Sequence, residues 1–184
     1  DGTTSRGLGD VYKRQAAYVP NKIETIICFL ACAKNGIIWS SCSPDFGAQG
    51  VVDRFKQIEP KVFITCDYYY YNGKKINILD KVAKILKQIP SIKKVIAFNY
   101  NKKERESLKN FINFEETLEN DLDEVFERFE FNHPIYILFS SGTTGKPKCI
   151  THGTGNVLIE HNKEFMLHCD IRDKEKLFYY TTTG

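Results

Sequence analysis

The stretch SSGTTGKPK, at positions 140–148, concentrates the groups that proteins use to bind phosphate. It offers four hydroxyls, two lysine ammonium groups and two glycines whose backbone amides can approach an anion closely. The predicted phosphate-binding residues are Ser140, Ser141, Gly142, Thr143, Thr144, Gly145, Lys146 and Lys148. A polar strand-to-helix connection is the simpler alternative, because these residue types are common in loops. The ordered string directly after an apolar strand favours phosphate binding.

The loop does not follow the pattern of P-loop NTPases. That pattern is G-x-x-x-x-G-K followed by Ser or Thr, whose hydroxyl binds magnesium beside the phosphates. Here Gly142 and Gly145 are only three positions apart, and Pro147 follows Lys146. Because a proline stands where the magnesium-binding hydroxyl would be, the sequence disfavours an ordinary NTPase.

Apolar patterns along the chain predict the elements that position this loop. Continuous apolar runs predict strands at 37–43, 61–67, 95–100 and 135–140, the last of them buried on both faces. Helical periodicity predicts helices at 21–35, 49–59, 76–89 and 157–169. The apolar residues that share one face of the first helix are Ile23, Ile26, Ile27 and Leu30. The polar segment 101–133 is expected to wrap the surface with few regular elements.

The alternation of strands and helices predicts an α/β fold with a mainly parallel sheet flanked by helices. In such sheets, ligands bind where loops leave the carboxyl ends of the strands. The glycine loop follows the strand predicted at 135–140, so we expect it to lie at a ligand-binding edge of the sheet.

Composition limits the classes of protein that fit. The chain has 184 residues, of which 42% are hydrophobic, enough for one core. Its net charge of +3 is small and its lysines are interspersed with acids, which argues against a nucleic-acid-binding groove. The six cysteines include no C-x-x-C pair and no zinc-finger spacing, which favours a reduced, cytoplasmic compartment. The longest apolar run, at 24–39, is interrupted by polar residues and is too short to span a membrane.

The stretch SSGTTGKPK resembles the phosphate-binding signature of the adenylate-forming superfamily. That superfamily contains acyl-CoA synthetases, luciferases and the adenylation domains of peptide synthetases. The resemblance implies that the loop holds the β- and γ-phosphates of ATP while a carboxylate attacks the α-phosphate. The held phosphates then depart as pyrophosphate, which explains why the loop differs from that of an NTPase. Its physical task would be to stabilise the charge that develops on this leaving group.

The resemblance extends over most of 16–184, through the stretches AAYVPN, WSSCSPDFG, QGVVDRFKQIEPKVF, YNGKKINILDKV, HPIYILFSSGTTGKPKCITHG and LHCDIRDKEKLFYYTTTG. These stretches are similar to acyl-CoA synthetases that act on acetoacetate. They imply part of a large N-terminal AMP-binding domain, truncated at both ends, with acetoacetate, ATP and CoA as substrates and magnesium accompanying the nucleotide. No catalytic residue is expected in this fragment, which is predicted to be inactive alone. A synthetase for another short acid and a non-catalytic nucleotide-binding module remain alternatives.

Residues 1–15 are predicted not to belong to the fold. The segment 5–15, SRGLGDVYKRQ, lacks apolar periodicity, and its back-translation can spell a transposase adapter used in sequencing libraries. We therefore expect an adapter artefact, with a natural N-terminal leader as the alternative.

The stretch YNGKK, at 71–75, is a second candidate site. The resemblance implies that Asn72, Gly73 and Lys74, together with Lys75, contact the nucleotide end of CoA. The alternative is a solvent-exposed turn, since Asn-Gly is a common turn dipeptide. The preceding tyrosines, 68–71, are expected to pack against the sheet rather than to stack on adenine.

Four further side chains carry weaker signals. His152 follows the loop and is either an active-site residue or a structural one. His161 and His168 are seven positions apart on one helix, but no convincing ligand set accompanies them, so the metal ligands are not predicted. Cys149 is expected to pack, because adenylation needs no enzyme thiol.

Overall fold

The chain folds around a seven-stranded sheet in this computed structural model, which describes residues 14–101, 111–118, 126–140 and 145–183. The strands are β1 (Arg14–Tyr18), β2 (Ile38–Cys42), β3 (Val62–Cys66), β4 (Tyr68–Tyr71), β5 (Lys74–Asn77), β6 (Lys94–Phe98), β7 (Ile112–Asn113), β8 (Pro134–Ser140) and β9 (Lys148–Gly153). The large sheet has the order β7-β6-β3-β1-β2-β8-β9, and β4 and β5 form a separate antiparallel hairpin. Neighbours in the large sheet are parallel except β8 and β9. The predicted mainly parallel sheet is confirmed.

In the described residues, four α-helices accompany the sheet: α1 (Ile23–Lys34), α2 (Ala48–Ile58), α3 (Leu79–Gln88) and α4 (Thr154–Lys163). α4 continues into a π-helical turn at Glu164–His168, and a 3-10 turn covers Phe114–Thr117. Because β2 and β3 flank β1 on opposite sides, right-handed crossovers place α1 and α2 on opposite faces of the sheet. α2 and α3 pack against each other. None of the helices in the described ranges has the length and apolar character that crossing a membrane requires.

Much of the core lies between the central strands of the sheet and the helices α2 and α3. β1 contributes three fully buried side chains, Ala16, Ala17 and Tyr18. The buried side chains of α2 are Val51, Val52, Phe55 and Ile58, and those of α3 are Val82 and Ile85. Both sets recur at helical spacing. The apolar residues predicted to share one face of the third helix were Ile76, Leu79, Ala83, Leu86 and Ile89, and this prediction is wrong for α3, where Ala83 is exposed and Val82 and Ile85 are buried.

The first helix turns its apolar residues away from the sheet. Ile23, Ile26, Ile27 and Leu30, here called the α1 stripe, are between 39% and 59% exposed. The buried side chains of α1 are instead Glu24, Thr25, Cys28 and Cys32. An amphipathic pattern leads one to expect the opposite orientation. The helix was predicted correctly, but the small Cys28 and Cys32 rather than the α1 stripe face the sheet.

Strand β8 is less buried than predicted. Ile137 is fully buried, but its neighbour Leu138 is 40% exposed, as is its cross-strand partner Ile150 at 44%. The prediction of burial on both faces is therefore wrong for these residues. β8 lies next to the edge strand β9, and nothing in the described ranges covers the outer side of that pair.

Two boundaries also differ from the sequence predictions. Arg14 and Gln15 pair with Ile38 and Trp39, so the sheet begins two residues before the predicted boundary. Residues 1–13 lie outside the described part, and their predicted origin stays a prediction. α3 begins at Leu79 rather than at 76, because 74–77 pair with β4 as strand β5. Within the segment 101–133, the structure describes the short β7, the 3-10 turn and the approach to β8.

Candidate phosphate-binding site

The antiparallel pair β8–β9 forms a hairpin that carries the glycine loop. Ser140, the last residue of β8, pairs with Lys148, the first residue of β9, so the seven residues 141–147 form the connection. Gly145, Lys146 and Lys148 are exposed. Ser141, Gly142, Thr143 and Thr144 lie outside the described residues, so their predicted roles stay predictions. The pairing nevertheless brings both ends of the predicted phosphate-binding string together.

The loop leaves the carboxyl end of β8, as predicted. β8 is parallel to β2, with Trp39 opposite Tyr136, so the loop lies on the edge of the sheet where β1, β2 and β3 also end. Clefts at the carboxyl ends of parallel strands are the usual ligand sites of such sheets. The position of the loop in the fold is therefore compatible with a nucleotide site.

The loop is not followed by a helix N-terminus. β9 returns antiparallel to β8 before α4 begins, so Thr154 lies beside the amino end of β8. The backbone N–H and the hydroxyl of Thr154 both donate to the carbonyl oxygen of His133 over 2.8 Å. The predicted strand–loop–helix order omitted β9. As a consequence, the dipole of α4 is not aimed at the loop and does not contribute positive charge there.

A strap of five residues, 129–133, fixes the amino end of this hairpin. Nε2 of His133 lies 3.0 Å from the carbonyl oxygen of Gly36, and the His133 ring stacks on Phe129 at 4.4 Å between centroids. The Phe131 ring packs directly against Gly155, at a distance where a Cβ would meet ring atoms at 2.2 Å. The strap lies in the polar segment 101–133, where no apolar periodicity predicted a regular element.

The Asn-Gly dipeptide of the second candidate site forms a tight hairpin turn. Asn72 and Gly73 have φ values of +47° and +73°, the left-handed pair that a type I′ turn between β4 and β5 requires. The turn predicted as the alternative is therefore present. No atom lies within 4 Å of the position of a Gly73 Cβ, so the turn is open to a ligand. Contact of this turn with CoA stays a prediction, as does the role of Lys74.

The tyrosines before this turn are divided between core and surface. Tyr68 and Tyr69 are buried, whereas Tyr70 and Tyr71 are about half exposed. Burial, together with a hydrogen bond to the Asp45 carboxylate, raises the pKa of Tyr69 to about 12. The predicted packing is therefore found for Tyr68 and Tyr69 but not for Tyr70 and Tyr71.

A cavity of about 260 Å³ lies beside these tyrosines at the carboxyl ends of the central strands. Its walls include Asn21, Tyr70, Tyr71, Tyr100 and the segment 181–183. The Nδ2 of Asn21 donates to the carbonyl oxygen of residue 181 over 2.7 Å and fixes that segment at the cavity. The cavity thus joins the β4–β5 hairpin to the same sheet edge as the glycine loop.

The histidines and Cys149 have structural surroundings. The His152 ring contacts the Tyr136 ring at 4.9 Å and lines a cavity of about 500 Å³ between β9 and α4. His161 contacts an aromatic ring, and His168 lies 4.0 Å from Glu164. Across the described ranges, no three His, Cys, Asp or Glu side chains are placed to hold a metal ion. Cys149 is half-buried, and burial raises the pKa of its thiol, which suits packing rather than nucleophilic chemistry.

The chain belongs to the AMP-binding enzyme family, whose model matches residues 5–181. Among curated relatives, the acetoacetyl-coenzyme A synthetase of Rhizobium meliloti (strain 1021) is 48% identical over 97% of this chain and 27% of its own length. The acetoacetyl-CoA synthetase of Gallus gallus is 41% identical over 96% of this chain and 27% of its own length. The solved acetoacetyl-CoA synthetase from Streptomyces lividans superposes with a TM-score of 0.88 at 39% identity, over 97% of this chain and 28% of that one. The chain therefore spans about 27% of the length of these relatives.

Proposed function

We propose that this chain is the phosphate-binding part of an AMP-forming acetoacetate–CoA ligase. The observation that carries the proposal is the β8–β9 hairpin, which brings Ser140 opposite Lys148 at the ligand-binding edge of a parallel sheet. The proposal is supported by the identity of 39–48% to acetoacetyl-CoA synthetases over nearly the whole chain.

In the first step, a carboxylate oxygen of acetoacetate attacks the α-phosphorus of ATP. The bond from that phosphorus to the bridging oxygen breaks, and pyrophosphate leaves with the electron pair. The loop at 140–148 binds the β- and γ-phosphates, so Lys146 and Lys148 lie where negative charge builds on the leaving group. Preorganised positive charge at that place lowers the barrier, because it interacts more strongly with the transition state than with the substrate.

In the second step, the CoA sulfur attacks the acyl carbon of acetoacetyl-adenylate. The bond from that carbon to the phosphate oxygen breaks and AMP leaves. We assign the nucleotide end of CoA to the open turn of the β4–β5 hairpin, where Asn72 and Gly73 expose their backbone and Lys74 adds positive charge. The neighbouring cavity of about 260 Å³ supports this assignment, because it offers aromatic and polar walls beside the turn.

Magnesium accompanies ATP in the reaction that we propose. Mg²⁺ prefers phosphate oxygens, water and one or two carboxylates. The described residues near the loop offer hydroxyl and ammonium groups, which suit the phosphates rather than the metal. We therefore assign Ser140, Lys146 and Lys148 to the phosphates and no described residue to magnesium.

We propose a cytoplasmic setting and an activity that needs the complete enzyme. All six cysteines are free, which suits a reducing compartment. The chain spans about 27% of its relatives, so we expect it to form no adenylate when expressed alone. Acetoacetate-dependent turnover by the isolated 184-residue chain would contradict this expectation.

The products of the complete enzyme test the proposed reaction. Incubation of the complete reading frame with acetoacetate, ATP and CoA should give acetoacetyl-CoA, AMP and pyrophosphate in equal amounts, measured by liquid chromatography with mass spectrometry. Omission of acetoacetate is the control and should abolish AMP formation. Release of ADP and phosphate without a thioester would indicate an NTPase, and nucleotide binding without turnover would indicate a binding module. Either outcome would contradict the proposal.

A further inference from the structure

Gln57 connects α2 to the hairpin that carries the glycine loop. Its Nε2 donates to the carbonyl oxygen of Pro147 over 2.9 Å and to that of Asp53 over 2.7 Å. Its Oε1 accepts from the thiol of Cys149, 3.7 Å away. Both amide hydrogens and the amide oxygen are therefore in use. The reverse orientation would turn the oxygen toward two carbonyl oxygens, so the contacts determine the orientation of this amide.

The helix that carries Gln57 is fixed to the core. Gln57 lies in the last turn of α2, next to the fully buried Ile58. Two residues before Gln57, the Phe55 ring packs edge-on against the Phe63 ring of β3, with 6.2 Å between centroids. This packing holds the backbone of α2 in place. A hydrogen bond from Gln57 therefore fixes the hairpin relative to the core.

The bonded carbonyl lies at a sensitive place in the loop. Pro147 stands between Lys146 and Lys148, and its ring restricts its own backbone dihedral. Here we call residues 145–148 the exit arm of the loop. A hydrogen bond to the Pro147 carbonyl therefore restrains the residue that lies between the two predicted phosphate-binding lysines.

We propose that Gln57 is a positioning residue that holds the exit arm where Lys146 and Lys148 meet the ATP phosphates. This inference rests on the proposed function, because it takes the loop to be the phosphate site. Gln57 itself does not contact the nucleotide in this scheme. Loss of the bond removes neither lysine but lets the exit arm move. The binding of ATP must then also order Lys146 and Lys148.

Steady-state kinetics of the complete enzyme test the proposal with two variants and one matched control. Gln57→Leu removes all three hydrogen bonds, whereas Gln57→Glu removes the donor to Pro147 but keeps an acceptor for Cys149. The control is Gln49→Leu, which removes an exposed glutamine in the first turn of the same helix, bonded to the Asp53 carboxylate over 2.7 Å.

Both Gln57 variants should raise KM for ATP by about two- to twelvefold, the effect of one net hydrogen bond. KM for acetoacetate and for CoA should not change, and Gln49→Leu should match the wild type. A variant that merely folded less well would lower kcat and leave KM for ATP unaltered. Equal KM for ATP in Gln57→Leu and Gln49→Leu would overturn the inference.

Trypsin cleavage after Lys148 measures the exit arm without any nucleotide. In the complete enzyme, the Gln57→Leu variant should be cut there faster than the Gln49→Leu variant, as followed by mass spectrometry of the fragments. Unchanged cleavage would overturn the anchoring by Gln57 whether or not the proposed function holds. Faster cleavage in an enzyme that forms no adenylate would refute the proposed function and support the anchor.

Discussion

Lys146 and Lys148 are exposed ammonium groups on the two sides of Pro147. A charge-assisted bond from either group to a phosphate contributes more than a neutral hydrogen bond. We expect Lys146→Ala in the complete enzyme to lower kcat/KM for ATP by about 10- to 150-fold, corresponding to ~1.5–3 kcal/mol for a bond to a charged group. Steady-state kinetics with varied ATP measure this effect, with Lys87→Ala on the exposed side of α3 as the control. Equal losses in the two variants would contradict the assignment of the loop.

Both the backbone conformation at position 36 and the neighbouring side chains require a glycine there. Its φ is +61°, and a Cβ there would lie 2.4 Å from the Phe129 ring of the strap. We expect Gly36→Ala to destabilise the protein by about 2–4 kcal/mol, combining the left-handed backbone penalty with overpacking. Urea unfolding measures the change.

Gly50 is the matched control, because it lies within α2 and a Cβ there would have only ordinary contacts at 3.5 Å. Gly50→Ala should stabilise the protein by about 0.5–1 kcal/mol. If both alanine variants shifted stability in the same direction, the account of the strap would be incorrect.

At the residue scale, the sequence pattern selected candidate phosphate-binding residues but not Gln57. The role of Ser140, Lys146 and Lys148 in binding phosphate stays a prediction; they were selected because their types and order are characteristic. Gln57 was not, because its partner Pro147 is 90 positions away and a helical glutamine has no distinctive pattern. A contact of that kind follows from the fold and not from local sequence.

At the element scale, apolar patterns predicted where strands and helices occur better than they predicted which other elements pack against them. The runs at 61–67 and 95–100 became β3 and β6, since continuous apolar stretches fit a parallel sheet covered on both faces. β9 was missed because the sequence KCITHG is short and only partly apolar, and its pairing depends on β8. The α1 stripe was misjudged for a related reason: a period identifies an apolar face but not the element that covers it.

The buried face of α1 makes the stability of the chain sensitive to alkaline pH. Burial raises the pKa of the Cys28 thiol from 9.0 to about 11 and that of Cys32 to about 12. The unfolded thiols ionise near pH 9 while the folded ones stay protonated, so these residues favour folding below pH 9 and lose that contribution as pH rises toward 11–12.

We expect the two thiols to cost about 2–3 kcal/mol of unfolding free energy between pH 8 and pH 10. Urea unfolding of the purified chain at both pH values measures the loss, which should shrink in the Cys28→Ala/Cys32→Ala variant. Cys169→Ala, at an exposed position, is the control. An equal loss in the double variant and the wild type would contradict the burial of these thiols.

At the scale of the whole molecule, large apolar side chains are exposed in several regions of the described chain. One is the α1 stripe, and another runs from α4 into the C-terminal segment, where Leu167 is 76% and Phe178 is 86% exposed. Contiguous exposed apolar surface in a protein usually marks a site of contact or a tendency to aggregate. The chain spans about 27% of the length of its curated relatives.

We expect the isolated chain to self-associate through the α1 stripe. Replacing two of its members in the variant Ile26→Lys/Leu30→Lys should raise the fraction of monomer several-fold in size-exclusion chromatography with light scattering. Because both side chains are exposed, the melting temperature should change by less than about 2 °C. A chain that is monomeric before the substitutions would contradict this expectation.

We propose that the loop at 140–148 serves adenylation of a short acid. Exchange of labelled pyrophosphate into ATP by the complete enzyme tests it most directly, because exchange requires reversible formation of an acyl-adenylate and no CoA. We predict exchange that depends on acetoacetate, is weaker with acetate or propionate, and is lost in Lys146→Ala. Exchange that needs no acid, or an enzyme that hydrolyses ATP to ADP without exchange, would contradict the account.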